Sequence, residues 1–382
     1  MDPTSPLAPE PILDLLRDLI RIPSVNPSIA PDEAHGETRL AGFCRDWLVG
    51  RGLRAWTEEA APGRINAVAE VGGGEGPTIV LCAHLDTVGT AGMEIPPFEP
   101  RVDGGRVYGR GGYDMKGGLA AVMAAGAALA RRADVRGTLR LALVADEEYA
   151  SVGADDFVRR RPRADGCILT EPSEGRLILG HKGFVWAELE TDGRAAHGSR
   201  WDLGVSAIGR MGRIVAALER FDQEVLRGRR HPLVGPASMH CARIAGGVGL
   251  STYAPSCRLE IERRTLPGET PEQVERELAD LVERAGEAAR IRRLFDRPPL
   301  LCDRDAPVAR AVRAAAERIT GRAPDEAGVG YWMDAAIFGQ AGIPTVDYGP
   351  AGAGAHEAVE WVDLDSVVLT ARVLAEAIVA FR

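Results

Sequence analysis

Two histidines and a handful of carboxylates stand where short apolar runs stop. His84 and Asp86 follow the run 78–83, while Asp146, Glu147 and Glu148 follow 138–145, and Glu171 follows 166–170. Each run is β-rich and too short for a helix, so each reads as a buried strand. Asp114 lies in a glycine-rich loop before an Ala-rich segment, and His356 in a Gly/Ala loop after the run 344–348. Imidazole with carboxylate suits Zn²⁺ or Co²⁺, with a softer preference for Mn²⁺. One bridging carboxylate could hold two such ions about 3.5–4 Å apart. Asp86 could bond the far nitrogen of the His84 ring. Of the adjacent pair Glu147 and Glu148, one could bind metal while the other takes a proton from water. Taken singly, these residues also fit a turn, a solvated loop and a helix cap. Their coincidence at the ends of strands that should lie side by side favours one site.

The elements that would position them alternate. Helical spacing covers 11–21, 38–51 and 118–132, and with the strands 78–83, 138–145 and 166–170 it predicts an α/β layer structure. In open α/β sheets the carboxyl ends of strands form the ligand crevice, so the candidate groups should converge there. After Pro172 the texture changes. Strands at 181–191, 236–244, 256–264 and 290–295, with helices at 205–226 and 271–287, follow the β-α-β-β-α-β order of a ferredoxin-like unit. A helix at 306–319, a strand at 344–348 and a helix at 363–381 complete the chain. The expected organisation is a catalytic domain in two parts, 1–178 and 296–382, interrupted by an inserted domain, 179–295.

Composition excludes other classes. The 382 residues carry 46 basic and 55 acidic groups, a net charge of −9, which gives no general pull towards nucleic acid or an anionic membrane. Only Lys116 and Lys182 are lysines, which makes those two positions worth following. No segment approaches the roughly 18–20 apolar residues of a membrane helix. The N-terminal stretch has acids and prolines where a secretory leader has a basic and then an apolar region. Six dispersed cysteines without a CxxC pair read as buried thiols, so a reducing cytoplasm is expected. The run from Gly109 to Asp114 begins like GxGxxG but lacks its last glycine, no GxxxxGK[ST] occurs, and Gly204 to Ile208 fails as a serine elbow. Nucleotide binding and serine hydrolysis have no support.

The motifs around His84–Asp86, Asp114, Glu147–Glu148, Glu171 and His356–Glu360 resemble, in order and over nearly the whole chain, the M20 metallopeptidase and deacylase family. The resemblance implies a zinc-peptidase-like catalytic domain with a mixed central sheet flanked by helices, plus a lid that also forms a dimer interface. It implies two divalent ions, most simply Zn²⁺, with His84 and Glu171 on one, Glu148 and His356 on the other, and Asp114 bridging, often through a cis peptide to the next residue. Glu147 would be the general base and Asp86 the orienter of His84. In the lid, His197 would polarise the substrate carbonyl, typically from the partner subunit. Arg264, at the right spacing to a Pro-Gly turn, would grip a substrate carboxylate, with Arg263 facing the other way. A guanidinium fork suits a carboxylate, although a surface salt bridge is the competing account. Lys182 reads as structural, and His35, His181, His231 and His240 have no assigned role. Two stretches depart from the family pattern: Thr252 stands where many members have Asn, and Tyr331-Trp332-Met333-Asp334 replaces G-x-T-D. The implied activity is removal of an acyl group from a small N-acyl amino acid, by a homodimer joined through the lid. The alternatives are a metallo-carboxypeptidase or dipeptidase acting on dipeptide-like substrates, and an inactive metal-binding scaffold.

Overall fold

In the computed structural model, which describes residues 4–33 and 35–381, the apolar runs pair as parallel strands. Thr78–His84 lies between Thr138–Val144 and Gly166–Leu169, with His84 opposite Val144 and Cys82 opposite Leu169. Thr345–Asp347 continues the parallel set, with Asp347 opposite Leu169. This register brings the carboxyl ends of four strands to one edge of the sheet. Arg64–Gly72 and Arg54–Ala61 add an antiparallel hairpin on one side, and Leu177–His181 adds an antiparallel strand on the other. The sheet is therefore mixed. Thr78–His84 is buried at every residue after the first, which fits its unbroken apolar sequence and requires cover on both faces.

Helices supply that cover. Gly117–Leu129 packs on Thr78–His84 and on the helix Leu364–Ala380, which packs in turn on Pro307–Thr320. The first of these is Ala/Gly-rich because it comes very close to the strand ends. A Cβ at Gly118 would collide with the main-chain oxygen of Thr170, and one at Gly349 with that of Glu171. These two glycines let a helix and a loop close on the turn that carries Glu171. A second, small antiparallel sheet runs Gly352–Ala353, Trp361–Asp363, Arg106–Tyr108, Arg101–Asp103. It ties the loop leading to Asp114 to the segment around His356.

The chain divides into two compact units. The first runs to Leu179 and resumes over Cys302–Ala327 and from Met333, and the second comprises Gly180–Leu301 and Gly328–Trp332. In the second, four antiparallel strands lie in the order Ser238–Gly246, Ser256–Thr265, Gly183–Asp192, Arg290–Arg297, with helices Ala207–Glu224 and Pro271–Arg284. This is the ferredoxin-like arrangement. Val185, Ala187, Leu189, Leu259 and Ile261 of the sheet meet Met211, Ile214, Leu218, Leu278 and Leu281 of the helices in one core. The second helix starts where its chemistry dictates. Pro271 fills the first position and the Thr270 side chain accepts from the Gln273 N–H at 3.2 Å. Two boundaries differ from expectation. Although Leu300 and Leu301 pair with His181 and Gly180 at the edge of the main sheet, the second unit runs on to Leu301, past 295. Trp332 also belongs to it: its ring lies 6.1 Å from both His181 and Phe184, and its indole N–H donates to Pro298 O at 3.0 Å. Among the described residues no helix is long and apolar enough to cross a membrane.

Candidate metal centre

Three strand ends and two loops of the first unit bring the expected ligands together. His84 Nε2 lies 3.1 Å from Asp114 Oδ1 and 3.7 Å from Glu171 Oε1. His356 Nε2 lies 3.4 Å from Asp114 Oδ2 and 3.0 Å from Glu148 Oε2. The two oxygens of Asp114 thus face different histidines, each with its own glutamate. That is the geometry of a carboxylate able to bridge two cations. Ligand atoms of His84, Glu147 and Glu171 also lie within 4.8 Å of one another, which places Glu147 inside the same cluster. The Asp114–Met115 peptide is cis. His84 Nδ1 hydrogen-bonds the main-chain oxygen of Asp86 at 2.9 Å, while the Asp86 carboxylate stands 3.7 Å away. A proton on Nδ1 leaves Nε2 with the lone pair a metal needs.

The electrostatics call for positive charge. Burial above all raises Glu147 and Glu171 well above the usual carboxylate range, with further repulsion from Glu171 on the first and from Asp114 on the second. Burial also raises Glu148, and Asp114 adds to it. Asp114 is buried too, but hydrogen bonds to His356 and His84 override that and hold it low. Burial works against charge on His84, yet Glu171, Asp114 and Asp86 raise that ring well above its ordinary value. Hydrogen bonds to Asp114 and Glu148 push His356 up to about 10. Nitrogen and oxygen donors crowded in this way fit a pair of divalent cations, which would answer the carboxylate charge directly. Near neutral pH both rings hold a proton that a metal must displace, so loading should release about two protons or more and strengthen with rising pH. Calorimetric titration in buffers of different ionisation enthalpy measures this, and uptake without proton release would contradict it.

Behind the ligands lies a set of supporting residues, of which Asn26, Glu37, Arg64 and Asp347 carry no local sequence signal. The Asp86 carboxylate accepts the backbone N–H groups of Glu147 and Glu148, each at 3.0 Å. Asn26 Nδ2 donates to Asp86 at 2.8 Å and to Asp146 at 3.0 Å, and the Asn26 oxygen accepts from Arg64 at 2.8 Å. Arg64 also pairs with Glu37 at 2.6 Å and Asp146 at 2.9 Å. Asp347 accepts the Glu171 N–H at 2.7 Å and fixes that turn. Lys116, one of the two lysines, is buried with its Nζ donating to Ile22 O at 2.8 Å, and burial pulls it down to about 7.

The remaining candidates sit in the second unit. His197 is exposed, with Nδ1 2.8 Å from Ser199 Oγ, and its main chain bridges that of Thr252. Arg263 is buried under the helices and committed to Glu269 at 2.7 Å. Arg264 is part-exposed, stacks on Phe184 at 5.4 Å and meets Glu262 at 2.6 Å. Burial and nearby Arg264 lower the ammonium of Lys182.

Comparison with known proteins accords with this geometry. Residues 80–380 match Peptidase family M20/M25/M40. The chain is 30% identical over 386 residues to succinyl-diaminopimelate desuccinylase of Rhodospirillum centenum, covering 96% of each. It is 30% identical over 261 residues to acetylornithine deacetylase of Vibrio atlanticus, covering 67% of this chain and 68% of that one. Among solved structures, the M20 family metallo-carboxypeptidase Sso-CP2 of Sulfolobus solfataricus superposes with a TM-score of 0.80 at 18% identity, over 97% and 99% of the two chains. A mixed sheet ending in these motifs and a match over most of the chain lead to one conclusion: the chain belongs to peptidase family M20/M25/M40 and is a hydrolase of amide bonds.

Proposed function

We propose that the chain removes an acyl group from a small N-acyl amino acid, using two divalent cations held by His84, Glu171, Asp114, Glu148 and His356. The observation that carries this reading is the split of the Asp114 oxygens between His84 and His356, at 3.1 and 3.4 Å. The deacetylase and desuccinylase names of the 30% identical relatives support the acyl substrate. Zn²⁺, or else Co²⁺ or Mn²⁺, supplies Lewis-acid polarisation and acidifies water when bound. Glu147 takes the proton of the attacking water and returns it to the leaving amine. Asp86 holds Glu147 and Glu148 in place through their backbone N–H groups. His197 donates a hydrogen bond to the developing oxyanion, and Arg264 binds the carboxylate of the amino acid.

A panel of N-acetyl, N-succinyl and N-formyl amino acids against dipeptides, on metal-replete protein, tests the reading. The N-acyl compounds should give the highest kcat/KM. Preference for dipeptides would replace the deacylase with a peptidase, and no turnover with any of the three metals would leave a scaffold. The second unit should also join two copies of the chain. If His197 acts across that dimer, a His197→Ala protein mixed with a Glu147→Gln protein should recover activity that neither has alone. No recovery in verified mixed dimers would count against sharing.

A further inference from the structure

Glu360 lies four residues beyond His356, and its carboxylate is fully engaged. One oxygen accepts from Arg110 Nη1 at 2.8 Å and from the Gly111 N–H at 2.9 Å. The other accepts from the N–H groups of Tyr113 at 2.9 Å and Asp114 at 3.0 Å. Three backbone donors of the loop that delivers the bridging carboxylate therefore end on one side chain. Arg110 reaches back in the other direction. Its Nε donates to Gly89 O at 3.0 Å and its Nη2 to the main-chain oxygen of Glu357, the residue after His356, at 3.2 Å. Arg110 and Glu360 are only 3% and 1% exposed, so this pair is sealed from water.

The loop it grips needs holding. His356 sits at φ +62°, a left-handed conformation that a residue with a Cβ adopts only when its surroundings impose it, and its ring is half exposed. Other ties are main-chain bonds, Glu94 N to Ala358 O at 2.9 Å and Gly109 N to Glu360 O at 3.2 Å. His84 and Glu171, by contrast, stand on or next to strands of the main sheet. His356 is thus supported by a different part of the fold from His84 and Glu171, whereas Glu148, like them, follows a strand of the main sheet.

We propose that the Arg110–Glu360 pair is a positioning device that weighs more on one cation position than on the other, the one framed by Asp114 Oδ2, His356 and Glu148, so that it sets the affinity for the second divalent ion more than for the first, which shares only Asp114 with it. This rests on the dinuclear reading above. Neither side chain touches substrate; both act by fixing where Asp114 and His356 point. Supporting residues of this kind commonly contribute about 10–100-fold to metal affinity.

The test is Co²⁺ titration of the metal-free full-length protein, followed by calorimetry and visible absorption, for wild type, Glu360→Gln and Arg110→Lys. Glutamine keeps one acceptor but turns an NH₂ group towards donors. Lysine keeps the charge on the pair but loses the bonds to Gly89 and Glu357, so it still reports if Glu360→Gln does not fold. The expected result is two steps in wild type and, in each variant, a weaker step loosened about 10–100-fold while the tighter one moves less than about threefold. Equal loosening of both steps would reveal general destabilisation and overturn the proposal, as would two unchanged steps. A single step in wild type would overturn the dinuclear reading itself.

Discussion

Glu147→Gln should leave the protein folded and metal-loaded while kcat falls on the order of 10²–10⁴-fold. The substitution keeps the backbone N–H that Asp86 holds at 3.0 Å and keeps the side chain's size, so little else should move. What it removes is the ability to take a proton. Burial and Glu171 raise the affinity of this carboxylate for protons above that of an ordinary glutamate, the direction that suits a base taking a proton from water. Glu148→Gln is the instructive comparison. Its carboxylate faces His356 Nε2 at 3.0 Å, so its loss should show first in metal content and only then in turnover. Elemental analysis alongside initial rates separates the two residues. Near-normal turnover of Glu147→Gln at full metal content would rule out this base.

Much of this centre was legible because its ligands advertise themselves locally. Strand 78–84 is a continuous apolar run that stops on a histidine, and parallel pairing then forces neighbouring runs to stop beside it. The ferredoxin-like order was readable for the same reason, from alternating strands and a Thr-Pro helix start. The hairpin Arg54–Ala61 and Arg64–Gly72 went unread, since its first strand is polar and mostly part-exposed and offers no apolar alternation. The supports of the site were illegible for a different reason. Asn26 and Asp86 are 60 residues apart, and Arg110 and Glu360 are 250 apart. Hydrogen bonds at such separations leave no period in the sequence. Trp332 shows the limit from the other side: in the sequence it stands out only as a departure from the family pattern, and its ring packs on His181 and Phe184 within the second unit.

The second large effect should come from Arg64, which touches no candidate ligand. Its guanidinium is almost wholly buried and bonds Glu37, Asp146, Asn26 and Ser28 at 2.6–2.9 Å. It offsets three acids, since burial and the charge of Asp86 push Glu37 up to about 7 while Arg64 alone among the principal charged groups pulls it down. Arg64→Met leaves those acids facing one another without their cation, a loss of about 3–5 kcal/mol for a broken buried pair. The penalty should depend on pH. Glu37 binds its proton more tightly folded than unfolded, so that contribution to stability is complete below about 4.5 and is lost as pH rises through about 7. Removing Arg64 raises Glu37 further and makes its ionised form costlier. The difference in urea-unfolding free energy between wild type and Arg64→Met should therefore be smaller at pH about 5 and grow towards pH about 8. Because Asn26 leans on Arg64 and Asp86 leans on Asn26, kcat should fall as well, even where the variant is fully folded. A penalty independent of pH, with turnover intact, would mean that Arg64 only fills space.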